Sequence, residues 1–187
     1  MALFPFFINL KGVSGLIVGT GKHAQEKIEK LKPYDPNLTV ISENEFQENI
    51  LEKEFRFVIV AGEDIEQNRK ISELCLRRGV LVNVVDDPEY CDFIFPALIS
   101  HGNLSVGIST NGASPATGVL LKKRMEEQIP ENMEEILDFL QEKRPAINQA
   151  FVNKKLRFQF YYHISEMCMS LNRPLSEEEF KELVSKF

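Results

Sequence analysis

The sequence contains no tryptophan and only three cysteines and three histidines in 187 residues. Cys75, Cys91 and Cys168 are odd in number and show no CxxC spacing, which argues against a disulfide framework. His23, His101 and His163 form neither an HxxxH nor an HExxH, so no dedicated protein metal site is expected. No apolar run approaches the roughly 18 residues needed to span a bilayer. The opening Met1-Ala2-Leu3-Phe4-Pro5-Phe6-Phe7-Ile8 is apolar but short, and it lacks the basic region and small-residue cleavage site of a secretion signal. It reads instead as a first strand or edge segment. These absences together point to a reducing cytoplasm. Positive charge is also scarce: 22 Lys and Arg against 28 Asp and Glu give a formal net charge of −6, which argues against nucleic-acid binding. A local basic pocket for a small anion remains compatible with that balance. Internal repeats and low-complexity segments are missing too.

What is present is a βαβ rhythm. Leu16-Ile17-Val18, Leu38-Thr39-Val40-Ile41, Phe57-Val58-Ile59-Val60 and Val80-Leu81-Val82-Asn83-Val84-Val85 read as strands, and their continuous β-branched character implies burial on both faces. Between the first two, Ala24, Ile28 and Leu31 share one helix face, and Pro33 with Asp35-Pro36-Asn37 stops that helix. A second helix runs from Asn68 to Arg78, with Ile71, Leu74 and Cys75 inward and Gly79 as its C-cap. After Pro88 the texture becomes that of a hairpin: Phe93 to Ile99 and Leu104 to Ser109 read as strands joined by His101-Gly102-Asn103. Ser114-Pro115 then opens a helix that reaches about Gln128. The remainder reads as helical. One helix ends at Pro145, a longer one spans about Ile147 to Ser170, and a last one starts at a capping box of Ser176 and Glu179, with Leu175 and Phe180 as a hydrophobic staple. The expected architecture is α/β, with a nucleotide-binding domain over residues 1–95, a linking segment over 96–129 and a helical domain over 130–187.

The sharpest local signal is Gly19-Thr20-Gly21-Lys22-His23-Ala24, a GxGxxA lying between a strand and a helix. Gly19 permits the tight turn, Gly21 admits a pyrophosphate to the backbone, and Ala24 lets helix and strand approach closely; the helix start then offers N–H groups to the phosphates. A purely structural glycine turn is the competing reading, and Lys22 serves equally well as a phosphate contact or a solvated lysine. An acidic residue is expected about 20 positions further on to take the ribose hydroxyls. Glu43, after Ser42, fits, with no arginine beside it, which favours NAD over NADP; an exposed loop carboxylate is the alternative, and Glu45 stands close by. Asn83-Val84-Val85-Asp86-Asp87-Pro88 places two carboxylates at a strand's C-terminal end, where α/β sheets bind ligands. A catalytic acid or base and a turn-forming Asp-Pro are both open there, Asp87 being the better turn residue.

The ordered set Val82-Asn83-Val84-Val85-Asp86-Asp87-Pro88, Phe93-Ile94-Phe95-Pro96-Ala97 and Ser109-Thr110-Asn111-Gly112-Ala113-Ser114-Pro115 resembles the precorrin-2 dehydrogenase family, which includes the N-terminal module of siroheme synthase. Gly19, Gly21, Ala24 and Lys27 match that family's glycine loop, and the resemblance extends over roughly residues 3–130. It implies a Rossmann-type parallel sheet followed by a dimerisation segment (96–129) and a small helical domain. It also implies NAD as cofactor, precorrin-2 as substrate, oxidation to sirohydrochlorin, a homodimer and, in many members, insertion of ferrous iron as a second substrate. The family's essential aspartate corresponds to Asp86. The implied cofactor contacts are Gly19, Thr20, Gly21, Lys22, His23, Ala24, Ser42, Glu43, Ala61, Gly62 and Val84. The implied substrate contacts are Asp86, His101, Ser109, Thr110, Asn111 and Gly112, with Lys122, Lys123 and Arg124 as further cations or simply a solvated helix face. The chain departs from the family in three ways. Its sheet is trimmed between the second and third strands, it has Ala61-Gly62-Glu63-Asp64 after the third, and it carries His101 and Lys22-His23 where other residues are usual. A non-catalytic relative that binds a dinucleotide or tetrapyrrole is the alternative these departures leave open.

Overall fold

Four short apolar runs pair as one parallel sheet in the computed structural model, which describes residues 3–187. These are β1 (Ser14–Val18), β2 (Asn37–Ile41), β3 (Phe57–Val60) and β4 (Leu81–Val84), ordered β2-β1-β3-β4. Leu16 lies opposite Thr39 and Val58, and Val58 opposite Val82. Side chains alternate between the faces of a strand, and here both faces are covered. Helix α2 (Ile65–Arg78) brings Ile71 and Cys75 onto Leu16, Val18, Val58, Val60, Val82 and Val84. Helix α1 (Lys22–Leu31) brings Ala24 and Leu31 onto Ile17, Phe57 and Ile59. Each fully buried Leu or Ile contributes about 1.5–3 kcal/mol, so this two-sided core fixes the strand ends that carry the site.

The sheet is trimmed, as the short spacing between the second and third strands requires. Two 3-10 turns, Glu43–Glu45 and Glu48–Glu52, are the only helical structure between β2 and β3, and Leu51 and Phe55 pack into the core on the α2 side. From β1 the chain steps to β2 on one side and later to β3 on the other. The order therefore reverses between β1 and β3, which is where such sheets open a crevice at their carboxyl ends.

The chain divides into two compact units, Met1–Phe95 and Pro96–Phe187. In the second, β5 (Ala97–His101) and β6 (Leu104–Ile108) form an antiparallel hairpin against which α3 (Pro115–Glu126) packs. Helices α4 (Met133–Ala150), α5 (Lys154–Leu171) and α6 (Glu177–Lys186) bury Ile136, Ile147, Phe151, Phe160, Ile164, Cys168, Leu175 and Phe180. The expected capping box opens α6: Ser176 accepts the Glu179 amide and Glu179 accepts that of Ser176. Arg173 grips both Glu179 oxygens, and with the Ser176 amide it pulls that carboxyl down to about 2.

Three expectations need correction. The strand foreseen from Phe93 begins only at Ala97, because Pro96 has no N–H for a ladder. Phe93 and Phe95 instead pack on the α1 side of the sheet, Phe93 edge-on to Phe57 at 6.4 Å. Pro145 lies inside α4 rather than ending it, since Ile136 and Ile147 on either side of it are both held in the helical core. The real break comes at Phe151–Asn153, where Asn153 accepts the Lys155 and Leu156 amides and starts α5. Finally, residues 3–10 form no strand: Pro5 interrupts the run, and the Phe4 and Phe6 rings pack on each other at 5.0 Å. Met1 and Ala2 lie outside the described residues.

Candidate active site

Gly19 leaves β1 with φ +124, and a Cβ there would come within 2.5 Å of the Ala61 carbonyl oxygen. Only glycine lets the β1 and β3 ends approach this closely. Gly21 then caps α1 without any side-chain hydrogen bond, no acidic residue follows in the first turn, and a Cβ on Gly21 would meet nothing within 4 Å. Thr20, Lys22 and His23 are exposed around it while Ala24 is fully buried against the sheet. The α1 start is thus an uncapped, sterically open helix N-terminus, and it fits a dinucleotide's pyrophosphate.

At the end of β2 the two neighbouring carboxylates separate. Glu45 turns back to the Ser42 amide and hydroxyl (2.8 and 2.7 Å), and these bonds hold its carboxyl below the usual range. Glu43 reaches across to the β3 end, where it accepts the Glu63 amide at 2.8 Å and the Asp64 amide at 3.4 Å. Between them Gly62 has no room for a side chain, since a Cβ would lie 2.5 Å from Glu43 and 2.6 Å from Asn68. Asn68, itself buried, donates to the Gly62 carbonyl.

The turn after β4 carries the remaining carboxylates. Asp86 is exposed and left-handed, with φ +62. Asp87 is bound by Arg69 of α2, Nε to Oδ2 at 2.8 Å. The Cys91 sulfur lies under the turn and accepts the Val84 amide at 3.1 Å. On the α1 side Lys27 covers the Phe95 ring at 4.3 Å. Burial pulls its ammonium below the ordinary lysine range, Lys30 adds to that, and the charge of Asp86 opposes it. The first unit therefore gathers Gly19 to Ala24, Ser42, Glu43, Ala61, Gly62, Val84 and Asp86 at the carboxyl edge of one sheet.

The other expected residues lie on the second unit. His101 ends β5 beside the hairpin turn and is half-buried. Ser109, Thr110, Asn111 and Gly112 form the β6–α3 loop, in which Asn111 and Gly112 have φ +50 and +82. The Thr110 hydroxyl donates to the Ser114 carbonyl and accepts the Ser114 amide, folding the loop into the α3 start. Ser109 accepts the Asn111 amide. Arg69 and Cys91 did not stand out in the sequence as site residues. Their partners come from other elements or from across a turn, where no periodic signal reaches. Lys27 did carry a signal, its place in the glycine-loop pattern.

Two family models match the chain. One, described as "Putative NAD(P)-binding", covers residues 6–97, and the other, "Sirohaem biosynthesis protein central", covers residues 101–128. Siroheme synthase of Thioalkalivibrio sulfidiphilus is 32% identical over an alignment that covers 89% of this chain and 38% of that protein. The siroheme synthase of Nitrosococcus oceani is 31% identical over an alignment that covers 97% of this chain and 43% of its own length. The chain is related to the siroheme synthases. It spans about two-fifths of the length of these siroheme synthase relatives. The solved structure of SirC, a precorrin-2 dehydrogenase, matches it in fold with a TM-score of 0.74 at 24% identity, over 99% of this chain and 100% of that one.

Proposed function

We propose that the chain is an NAD-dependent dehydrogenase that oxidises precorrin-2 to sirohydrochlorin. The observation that carries this is the pairing, on one sheet edge, of an uncapped helix start at Gly21 with an exposed carboxylate at Asp86. The amides at the α1 start bind the pyrophosphate, and Gly19 and Ala24 keep that backbone close to the sheet. Glu43 leaves the ribose end of the cleft acidic, which disfavours a 2′-phosphate and hence NADP. NAD, when bound, supplies the hydride acceptor. Loss of a hydride from the macrocycle leaves a proton to be removed, and Asp86, a carboxylate with solvent access, takes it. His101, Ser109, Thr110, Asn111 and Gly112 supply polar groups for the substrate's many carboxylates.

The same carboxylate would accept ring N–H protons as ferrous iron, a substrate, enters the product. Association into a homodimer through the 96–129 segment is supported by α3, which leaves Val119, Leu120, Leu121 and Met125 exposed. Sedimentation should then give a dimer at micromolar concentration, and a monomer would contradict the assignment. The unpaired cysteines suit a cytoplasmic setting, and no helix among the described residues is long and apolar enough to cross a membrane. The function is tested by incubating the protein with NAD and freshly made precorrin-2 and following sirohydrochlorin absorbance. Appearance of the product at a rate proportional to protein is expected. Binding of NAD without turnover would favour a non-catalytic relative.

A further inference from the structure

We propose that Arg69 and Cys91 are positioning residues for Asp86, clamping the turn on which it stands; this rests on the reading of Asp86 as the proton acceptor. Left-handed backbone is costly for residues with a Cβ, although aspartate tolerates it better than most. Asp86 adopts it at φ +62 while its own side chain remains exposed. The bond that would ordinarily close such a turn, Asp87 N–H to the Val84 carbonyl, is long at 3.4 Å. Closure is therefore supplied by the neighbours.

Cys91 works from beneath. Its sulfur accepts the Val84 amide at 3.1 Å, and the carbonyls of Val84 and Asp87 lie 3.2 and 3.3 Å away as acceptors for its S–H. One thiol thus ties the residue at the strand end to the residue just after Asp86. Burial raises the thiol's pKa, which keeps it protonated and able to donate. Arg69 works from the side, holding the Asp87 carboxylate at 2.8 Å with its guanidinium over the Tyr90 ring at 5.0 Å. Ser72, one turn along the same helix, donates to the Tyr90 carbonyl at 2.7 Å. The 84–91 turn is in this way anchored to α2, a rigid element packed on the sheet. Half-exposed ion pairs add little to global stability, so the expected consequence of the Arg69–Asp87 bond is geometrical. A displacement of about 1 Å at a reacting group can cost on the order of 10²-fold in rate.

The test measures kcat and KM for precorrin-2 at saturating NAD, with the full chain, in Arg69→Met, Arg69→Lys, Cys91→Ala and Cys91→Ser, and in each of these combined with Asp86→Asn. Arg69→Met and Cys91→Ala should each lower kcat about tenfold while leaving NAD affinity unchanged. Arg69→Lys and Cys91→Ser, which keep a donor, should recover part of the loss. In the Asp86→Asn background the same changes should do nothing further, because the group they position is gone. Should Arg69→Met fail to fold, Asp87→Asn breaks the same ion pair and is read the same way. Parent kcat in Arg69→Met and Cys91→Ala, alongside a slow Asp86→Asn, would overturn the proposal and leave the role of Asp86 standing. Losses that multiply in the double variants would overturn it too. A parent rate in Asp86→Asn would instead remove the reading beneath it.

Discussion

Two helices start at the same sheet edge and treat an incoming anion in opposite ways. At α2 the N-cap Asp64 accepts the Glu66 and Gln67 amides, Glu66 adds a second carboxylate in the first turn, and Glu43 takes the amides of Glu63 and Asp64. At α1 the N-cap is Gly21, no side chain caps it, and Lys22 and His23 stand where acids would. Both ends carry the same helix dipole. One is neutralised by the protein's own carboxylates and the other is left for a ligand. The contrast repeats within the β4 turn, where Asp87 is bound by Arg69 and Asp86 stays exposed. On this edge, the helix start and the carboxylate used in the proposed function are the ones the chain leaves unsatisfied.

Breaking the contrast at β4 should have the largest effect. Asp86→Asn keeps size and tolerance of left-handed backbone but removes the base, so precorrin-2 oxidation should fall about 10²–10⁴-fold with the fold and NAD binding intact. Asp87→Asn, which loses only the clamp, should cost clearly less in the same assay. Next comes Gly19→Val, where backbone strain of about 1–3 kcal/mol adds to a clash with the Ala61 carbonyl. Thermal denaturation should show a lowered midpoint, and NAD titration a weakened or absent response. The helix starts can be exchanged in character by a single residue at each. Gly21→Asp supplies the missing cap and should weaken NAD binding by filling the anion site. Asp64→Ala should destabilise the fold by about 0.5–2 kcal/mol and leave NAD affinity alone. The smallest effect is expected at Glu43→Gln, which should narrow the preference for NAD over NADP; unchanged selectivity would remove the electrostatic role given to that carboxylate.

Much of the first unit was legible because its signals are local. The four strand runs, the Ala24–Ile28–Leu31 face and the Gly79 cap all rest on periodicity or on one residue's backbone preference, and all appear in the structure. The short β2–β3 spacing likewise announced the trimmed sheet. What sequence reasoning could not reach depends on tertiary placement. Arg69 and Asp87 lie 18 residues apart on different elements, and Glu43 meets the Glu63 amide across 20 residues. Neither pair has a spacing that distinguishes it from surface charge. Pro145 misled for the complementary reason, since a strong local breaker was overridden by core residues on both sides of it. The sequence favoured Glu43 with Glu45 as a close competitor, and only the fold parts them, turning Glu43 to the Glu63 amide and Glu45 back onto Ser42.

The most direct measurement is the balance of the reaction itself. With precorrin-2 limiting and NAD in excess, the parent protein should produce NADH and sirohydrochlorin in equal amounts, at a rate proportional to protein. Asp86→Asn should bind NAD on the same titration curve yet release both products far more slowly. Sirohydrochlorin appearing without matching NADH, or both products forming at the parent rate in Asp86→Asn, would contradict the account.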